Sequence, residues 1–562
     1  MNSALAMAIA LVVAFFGYYV YVRYIDRRVI VSDPNKVTPA KMYMDGVDFM
    51  PTSRHVLFGY QFKSIAALGP VVGPIVAMQW GWLAGLLWVV LGTLLFGWAH
   101  DYAAAMTSIR NEGQSYGALS YRLISPRARS VLLAFIYFYL ILICAAFADM
   151  ITRAMMSTTS IPLAILGLMV LGICTGLLIY RARWDLILTT VIMVVLSFVC
   201  IWAGTVLPIK LNFHILLLYT LFFSYLGAVL PIWAYAQPVN YIAFYLVFLG
   251  IVGAVIGIFI GHPQFSAPVF TTWKIGAGPL WPILFVTIAC GAISGWHGLL
   301  SASGTSRQLE RETDTRYVVA GSMFTEMVLA TVALIIAASF ATFGAYKEAL
   351  KAGPASVFVG GMANLLAFLK IPSGFGAAFA GAMFVVLAIT VLQLAVRFAR
   401  VATADLAPEK AGFLRNPHVG TLIALLITWV LVVTGTFSYI WTLFGGANQL
   451  MAALGLLLAS IWLAGQKKNF WWTYGPMWFM LVTTIAALGY TSYTLIIKVM
   501  KLYAGTIKPA AGRTLGVEVG GNIIAAAIGI FLIVAAIVLA VDGVGAFYRK
   551  RAEAKKAPAA AD

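Results

Sequence analysis

Apolar runs of about 18 residues or more recur along almost the whole chain, and this recurrence restricts the fold more than any motif does. They fall near 4-22, 64-81, 83-106, 130-152, 161-180, 185-207, 214-235 and 238-260, then near 280-303, 318-343, 374-397, 419-436, 439-464, 471-497 and 522-545. Fifteen such segments in 562 residues leave no room for a soluble domain, since the longest connections are 23-63 and 344-373. With 62% of residues hydrophobic and 10% charged, the chain reads as an all-α polytopic membrane protein with about 15 transmembrane helices.

The formal net charge of +18 is distributed unevenly. With the N-terminus outside, 27 of the 37 Lys and Arg residues fall on inner loops and 10 on outer ones, the bias expected of a chain with its N-terminus outside and its C-terminus in the cytoplasm. Nucleic acid is excluded as a partner, because no soluble stretch is long enough to carry a basic patch. Residues 1-30 read as a retained anchor helix, 31-63 as a cytoplasmic amphipathic connection, and 546-562 as a disordered, charged tail. Cys144, Cys174, Cys200 and Cys290 lie inside apolar runs without C-x-x-C spacing and read as packing residues.

One apolar run carries its own interruption. In SIAALGPVVGPIVAMQWGW, Gly69-Pro70 and Gly73-Pro74 each remove an amide donor and weaken the helix, so carbonyls near residues 65 to 69 lose helical partners. Freed carbonyls in hydrocarbon cost several kcal/mol each and persist only where they are buried in protein or line a polar cavity, which is where transporters place substrate and ions. Gly227 to Pro231, followed by Trp233 and Tyr235, reads as the counterpart break. If the core starts at 64-81, it falls on the sixth helix and pairs with the first in a five-plus-five inverted repeat.

Ionisable groups inside apolar runs are few: His100 and Asp101, Asp149, His297, Glu326 and Asp542. Asp101 reads either as a helix-end residue paired with Arg110 or a neighbouring loop, or, with His100, as a proton relay. Asp149 reads as snorkelling to the outer interface or pairing with Arg153 four residues on, and Glu326 as a buried, tunable carboxyl. The segment CGAISGWHGLLSASGTS interleaves glycines with Ser294, Ser301, Ser303, Thr305 and Ser306 around His297. Close packing explains the glycines, and a proton-linked or sodium-like site explains the hydroxyls. Asn448 and Gln449 in FGGANQ place two amides in a span, read as interhelical hydrogen bonding.

The stretches HVLFGYQFKSIAALGPVVGPIVAMQWGW, HDYAAAMTSIRNEGQSYG, CGAISGWHGLLSASGTSRQL and FGGANQLMAAL, in this order, resemble the carbon starvation protein A family of bacterial inner-membrane transporters, across nearly the whole chain. The resemblance implies a LeuT-like core of ten helices in two inverted repeats, here 64-397, with 398-545 as further helices. It also implies uptake of pyruvate or peptides driven by an ion gradient, usually of protons, and no cofactor besides the coupling ion, H+ or Na+. Position by position, the family motifs mark Gly69, Pro70, Gly73, Pro74, Asp101, Ser294, His297, Ser303, Glu326, Asn448 and Gln449.

The expectation is thus a secondary active transporter for a small carboxylate such as pyruvate, or for small peptides. Substrate is expected at Gly69, Pro70, Gly73, Pro74, Gln79, Trp80, Gly227 and Tyr235, where half-helix N-termini would present free amides to a carboxylate. The coupling ion is expected at His297, Glu326, Asp101, Ser294, Ser301 and Ser303. A passive channel, or a nutrient sensor acting through a docked partner, are the alternatives; an enzyme is not expected, because no nucleophile, base or metal motif is present.

Overall fold

The computed structural model describes residues 1–46, 48–433, 437–509 and 514–556. Arg513, the end of the expected 419-436 span and the tail beyond 556 lie outside the described residues. The described chain is almost entirely helical; its β-structure amounts to a two-stranded hairpin, Lys274–Ile275 with Gly278–Pro279, and two isolated bridges.

Eleven described helices are long and apolar enough to cross a membrane, from Ser3–Ile30 to Leu515–Lys556. A twelfth candidate is a pair, Arg54–Ile65 and Gly69–Trp80, bent by 41° at its break. Phe213–Val229 is apolar but has 17 residues, about 25 Å of helix, a little short of a ~30 Å hydrocarbon core, and Pro417–Val433 is apolar over its 17 described residues. Side-chain caps set several helix starts: Asn2 Oδ1 accepts from Ala4 N, Ser125 Oγ from Ala128 N, Asp185 Oδ1 from Leu188 N and Asn212 Oδ1 from Ile215 N.

The structure redraws four expected boundaries. The first broken span starts at Arg54 rather than 64, inside the segment read as a cytoplasmic connection; Gln61 and Lys63 are fully buried there. A hydropathy window discounts such residues, although internal partners satisfy them. The break lies at Ala66–Leu68, and Gly69 opens the second half-helix, with Pro70 in its first turn and Pro74 inside it. Pro at a helix start forfeits no bond, so Gly69-Pro70 begins a helix and Gly73-Pro74 does not stop one.

The expected 280-303 span is the second broken one. A short helical run ends at Thr287, and a separate helix, Gly295–Ser303, resumes after an irregular stretch. By contrast, Gly227 lies within the Phe213–Val229 helix, close to its C-terminal end. Six helices of 17 residues or more separate the two broken spans, not the four that numbering from the first break anticipates. Finally, the last helix continues to Lys556, so residues 546–556 are helical, not disordered.

Candidate functional site

The two broken spans cross antiparallel. Gln61, early in the first, donates to Ser301 Oγ, late in the second, at 3.1 Å, and Thr305 Oγ1 donates to Gln61 Oε1. At the other end, a Cβ on Gly73 would lie 2.6 Å from Thr287 O and 3.0 Å from Ile288 Cα, and one on Gly69 would collide with Cys290. Only glycine lets the backbones approach so closely.

Side chains answer the carbonyls that the breaks set free. Trp296 Nε1 donates to Ser64 O at 2.7 Å, and Lys63 Nζ donates to Ala66 O at 3.2 Å and to Thr390 Oγ1 at 2.8 Å. In the second gap, Trp88 Nε1 reaches Phe285 O and Ile288 O at 3.1 Å each, Thr93 Oγ1 reaches Gly291 O at 3.2 Å, and Gln449 Nε2 reaches Phe285 O at 2.8 Å. Asn448 Oδ1 accepts from Tyr139 Oη at 2.5 Å, Ser294 Oγ at 3.1 Å and Trp296 N at 3.2 Å, capping Gly295–Ser303 from another helix. The amide pair thus makes the interhelical bonds expected of it, directed at a break. Its helix, Phe437–Gly465, lies beyond the expected core boundary yet packs against the site.

Next to the breaks runs a line of four acid–base side chains. His100 Nδ1 lies 2.9 Å from Asp101 Oδ1, His297 Nδ1 lies 3.0 Å from Asp101 Oδ2, and His297 Nε2 lies 3.1 Å from Glu326 Oε2. All four side chains are shielded from solvent. An ionised carboxylate only accepts, so with Asp101 ionised both histidines would carry a proton on Nδ1. The His297–Glu326 approach is at ion-pair distance with an angle that makes no hydrogen bond, leaving His297 Nε2 and both Glu326 oxygens open to a further partner. Among the described residues, no three His, Cys, Asp or Glu side chains are disposed to hold a metal ion.

Asp101, His297 and Glu326 therefore come together as a unit, with Ser294 and Ser301 bonded nearby. Asp101 does not pair with Arg110, which instead holds Glu312, with Nη2 2.7 Å from Oε2. The Arg153–Asp149 pair is present at 2.7 Å. Gln79 and Trp80 sit at the far end of the first broken span against 268–271, where Thr271 N donates to Trp80 O at 3.0 Å. Gly227 presents no amide to a ligand: it is near a helix C-terminus, where its carbonyl and that of Leu230 accept from Arg397. A cation there opposes the dipole's negative end. Tyr235 accepts from Gln393 Nε2 at 3.2 Å.

Two cavities flank the unit. One of about 300 Å3 lies toward the hairpin side and is lined by Gly69, Gly73, Thr287 and Cys290. The other, about 280 Å3, lies toward the loops rich in arginine and reaches Ser303 and Tyr116. Lys63, Gln61, Tyr116 and Thr390 escaped the sequence reading. Lys63 had a legible signal, as a lone lysine immediately before an apolar break.

The sequence profile described as Carbon starvation protein CstA matches residues 2–348 and 339–487. The Pyruvate/proton symporter BtsT of Escherichia coli (strain K12) is 29% identical, over 87% of this chain and 81% of its own. The Peptide transporter CstA of the same strain is 30% identical over 60% of this chain and 50% of its own. Among solved structures, a manganese transporter of Eremococcus coleocola superposes with a TM-score of 0.52 at 14% identity, covering 90% of this chain and 99% of that one, a likeness of fold. With motifs, two broken helices and this match in agreement, the chain belongs to the carbon starvation protein CstA family of membrane transporters.

Proposed function

We propose that the chain imports a small carboxylate such as pyruvate, or a small peptide, together with a proton, by alternating access across a bacterial inner membrane. The observation that carries this reading is the buried line His100, Asp101, His297, Glu326 lying between cavities on opposite sides. Two carboxyl groups and two imidazoles share this buried unit, so each proton gained or lost changes the charge it buries, and burying a net charge is costly. A protonated unit and an unprotonated one therefore favour different surroundings, as coupling requires.

The cargo carboxylate sits in the hairpin-side cavity, at the N-terminus of the half-helix that opens at Gly69. Names of relatives, one a pyruvate/proton symporter and one a peptide transporter, support the same class of cargo. The arginine-bearing face is cytoplasmic and the N-terminus periplasmic, in line with the basic-residue bias. In this reading the two broken spans and the two 17-residue helices all cross, giving fifteen crossings, and the antiparallel breaks form the unwound centre of a transporter core.

Reconstitution tests it. Liposomes carrying the full chain accumulate labelled pyruvate above equilibrium under an inward proton gradient, and a sodium gradient adds nothing. Accumulation under neither gradient would indicate a passive channel; accumulation under sodium alone would overturn proton coupling. Excess dialanine as competitor separates carboxylate from peptide cargo.

A further inference from the structure

The second cavity holds a concentration of charge that the transport reading does not use. Arg129, Arg307, Arg397 and Arg400 face Asp48 and Asp405 around a recess of about 280 Å3, an excess of two positive charges. Two of the guanidiniums are committed. Arg397, 5% exposed, donates through Nε to Gly227 O at 3.2 Å and also to Leu230 O, and its Nη1 lies 3.7 Å from Asp48. Arg307 donates to Gly113 O at 3.0 Å and lies over the Phe49 ring at 5.0 Å. The half-buried guanidiniums of Arg129 and Arg400 make no hydrogen bond among the described residues.

Two hydroxyls line the inner wall of the recess. Tyr116, 1% exposed, and Ser303 each have a buried oxygen without a hydrogen-bond partner. A buried hydroxyl without a partner weakens the fold unless a ligand or water meets it. Past this wall the acid–base line begins. A Cβ on Gly455 would lie 2.5 Å from Tyr116 Oη and 2.9 Å from His100 Nε2, so the phenol and the imidazole flank the same point, and His100 Nε2 also lacks a partner.

We infer that this recess is a second carboxylate station, binding a short organic anion whose carboxylate pairs with Arg129 and Arg400 and whose further oxygen meets the Tyr116 and Ser303 hydroxyls. Planar guanidinium forks match carboxylates in geometry as well as charge, and an excess of positive charge in a recess concentrates anions there. A zwitterionic peptide would bring an ammonium into the same excess, so the station favours 2-oxo and 2-hydroxy acids over peptides. The identity of the cargo rests on the transport reading; the station itself rests on the recess.

Equilibrium binding of labelled pyruvate to the purified full chain tests it. Wild type binds two pyruvates per chain, and R129Q/R400Q binds one, whereas R400K, which keeps the charge, retains both. Y116F weakens pyruvate at the second station about tenfold, the loss expected of one hydrogen bond, and leaves acetate, which lacks the further oxygen, unchanged. If the double variant does not fold, R129Q alone carries the test with the same expected loss. Equal stoichiometry and affinity in wild type and arginine variants overturn the station. Gradient-driven uptake in the same preparation judges the transport reading separately: two bound pyruvates without accumulation sink that reading and leave the station standing, while accumulation with unaltered binding in the arginine variants sinks the station alone.

Discussion

Single residues decide whether the buried unit couples or merely packs. Glu326 and His297 touch at 3.1 Å with nothing else bonded to the carboxyl, so Glu326→Gln removes the titrating proton while keeping size and polarity. Proton-driven accumulation of pyruvate should fall by about tenfold or more while exchange at equal pH on both sides persists; coupling energies of ~1–2 kcal/mol correspond to such factors. Equal loss of both activities would mark Glu326 as structural. Lys63→Met leaves Ala66 O and the Thr390 hydroxyl without their donor. Each unpaired buried group costs about 1–3 kcal/mol, so the thermal midpoint in detergent should drop by several degrees, and an unchanged midpoint would contradict the structural role. Asp101, His297 and Glu326 were legible in the sequence because ionisable groups stand out in apolar runs. Lys63 was passed over although it stands immediately before an apolar break, because Arg54, His55 and Gln61 give its stretch the composition of a loop.

At the scale of elements, the sequence announced the first break and misplaced its partner. Gly69-Pro70 and Gly73-Pro74 are visible interruptions, whereas 288–294 contains no proline, and its irregular backbone is held from outside by Trp88, Thr93, Asn448 and Gln449. Such long-range satisfaction leaves no local trace in a sequence. Pairing by helix count then chose Gly227 to Pro231, whose proline follows a helix end rather than opening a gap. Two outcomes check the element-level account. Gly73→Ala forces a methyl against the backbone at Thr287 and Ile288, which cannot move aside as a flexible side chain would, and should cost about 1–3 kcal/mol and most of the transport. Asn448→Ala removes the acceptor shared by Tyr139, Ser294 and Trp296 and should lower the thermal midpoint more than Gln449→Ala, whose carbonyl targets Trp88 also serves. Equal effects would argue against Asn448 as the cap.

For the whole molecule, hydropathy carried most of the architecture: among the described residues every expected span overlaps helical structure, and eleven of the helices are long and apolar enough to cross a membrane. What composition could not convey is which helices meet. Phe437–Gly465 comes late in the chain, yet it reaches the gap through Asn448 and the acid–base line through Gly455. Orientation has a direct check. In a background without native cysteines, Gly276→Cys on the hairpin side and Gly412→Cys on the opposite side are both sterically open. An impermeant maleimide added to whole cells should label position 276 and spare 412; the reverse pattern would invert the proposed topology.

The indole of Trp296 has a mechanical consequence. It belongs to the half-helix after the second gap, its backbone amide is tied to Asn448, and its ring nitrogen is tied to Ser64 in the first broken span. Any motion that separates the spans must release that one ring bond while the backbone tie stays with its own side. A neutral hydrogen bond contributes about 1 kcal/mol net, under twice the thermal energy at room temperature. In the transport cycle proposed above the ring is a light catch, firm enough to favour one closed arrangement and weak enough to reset each time.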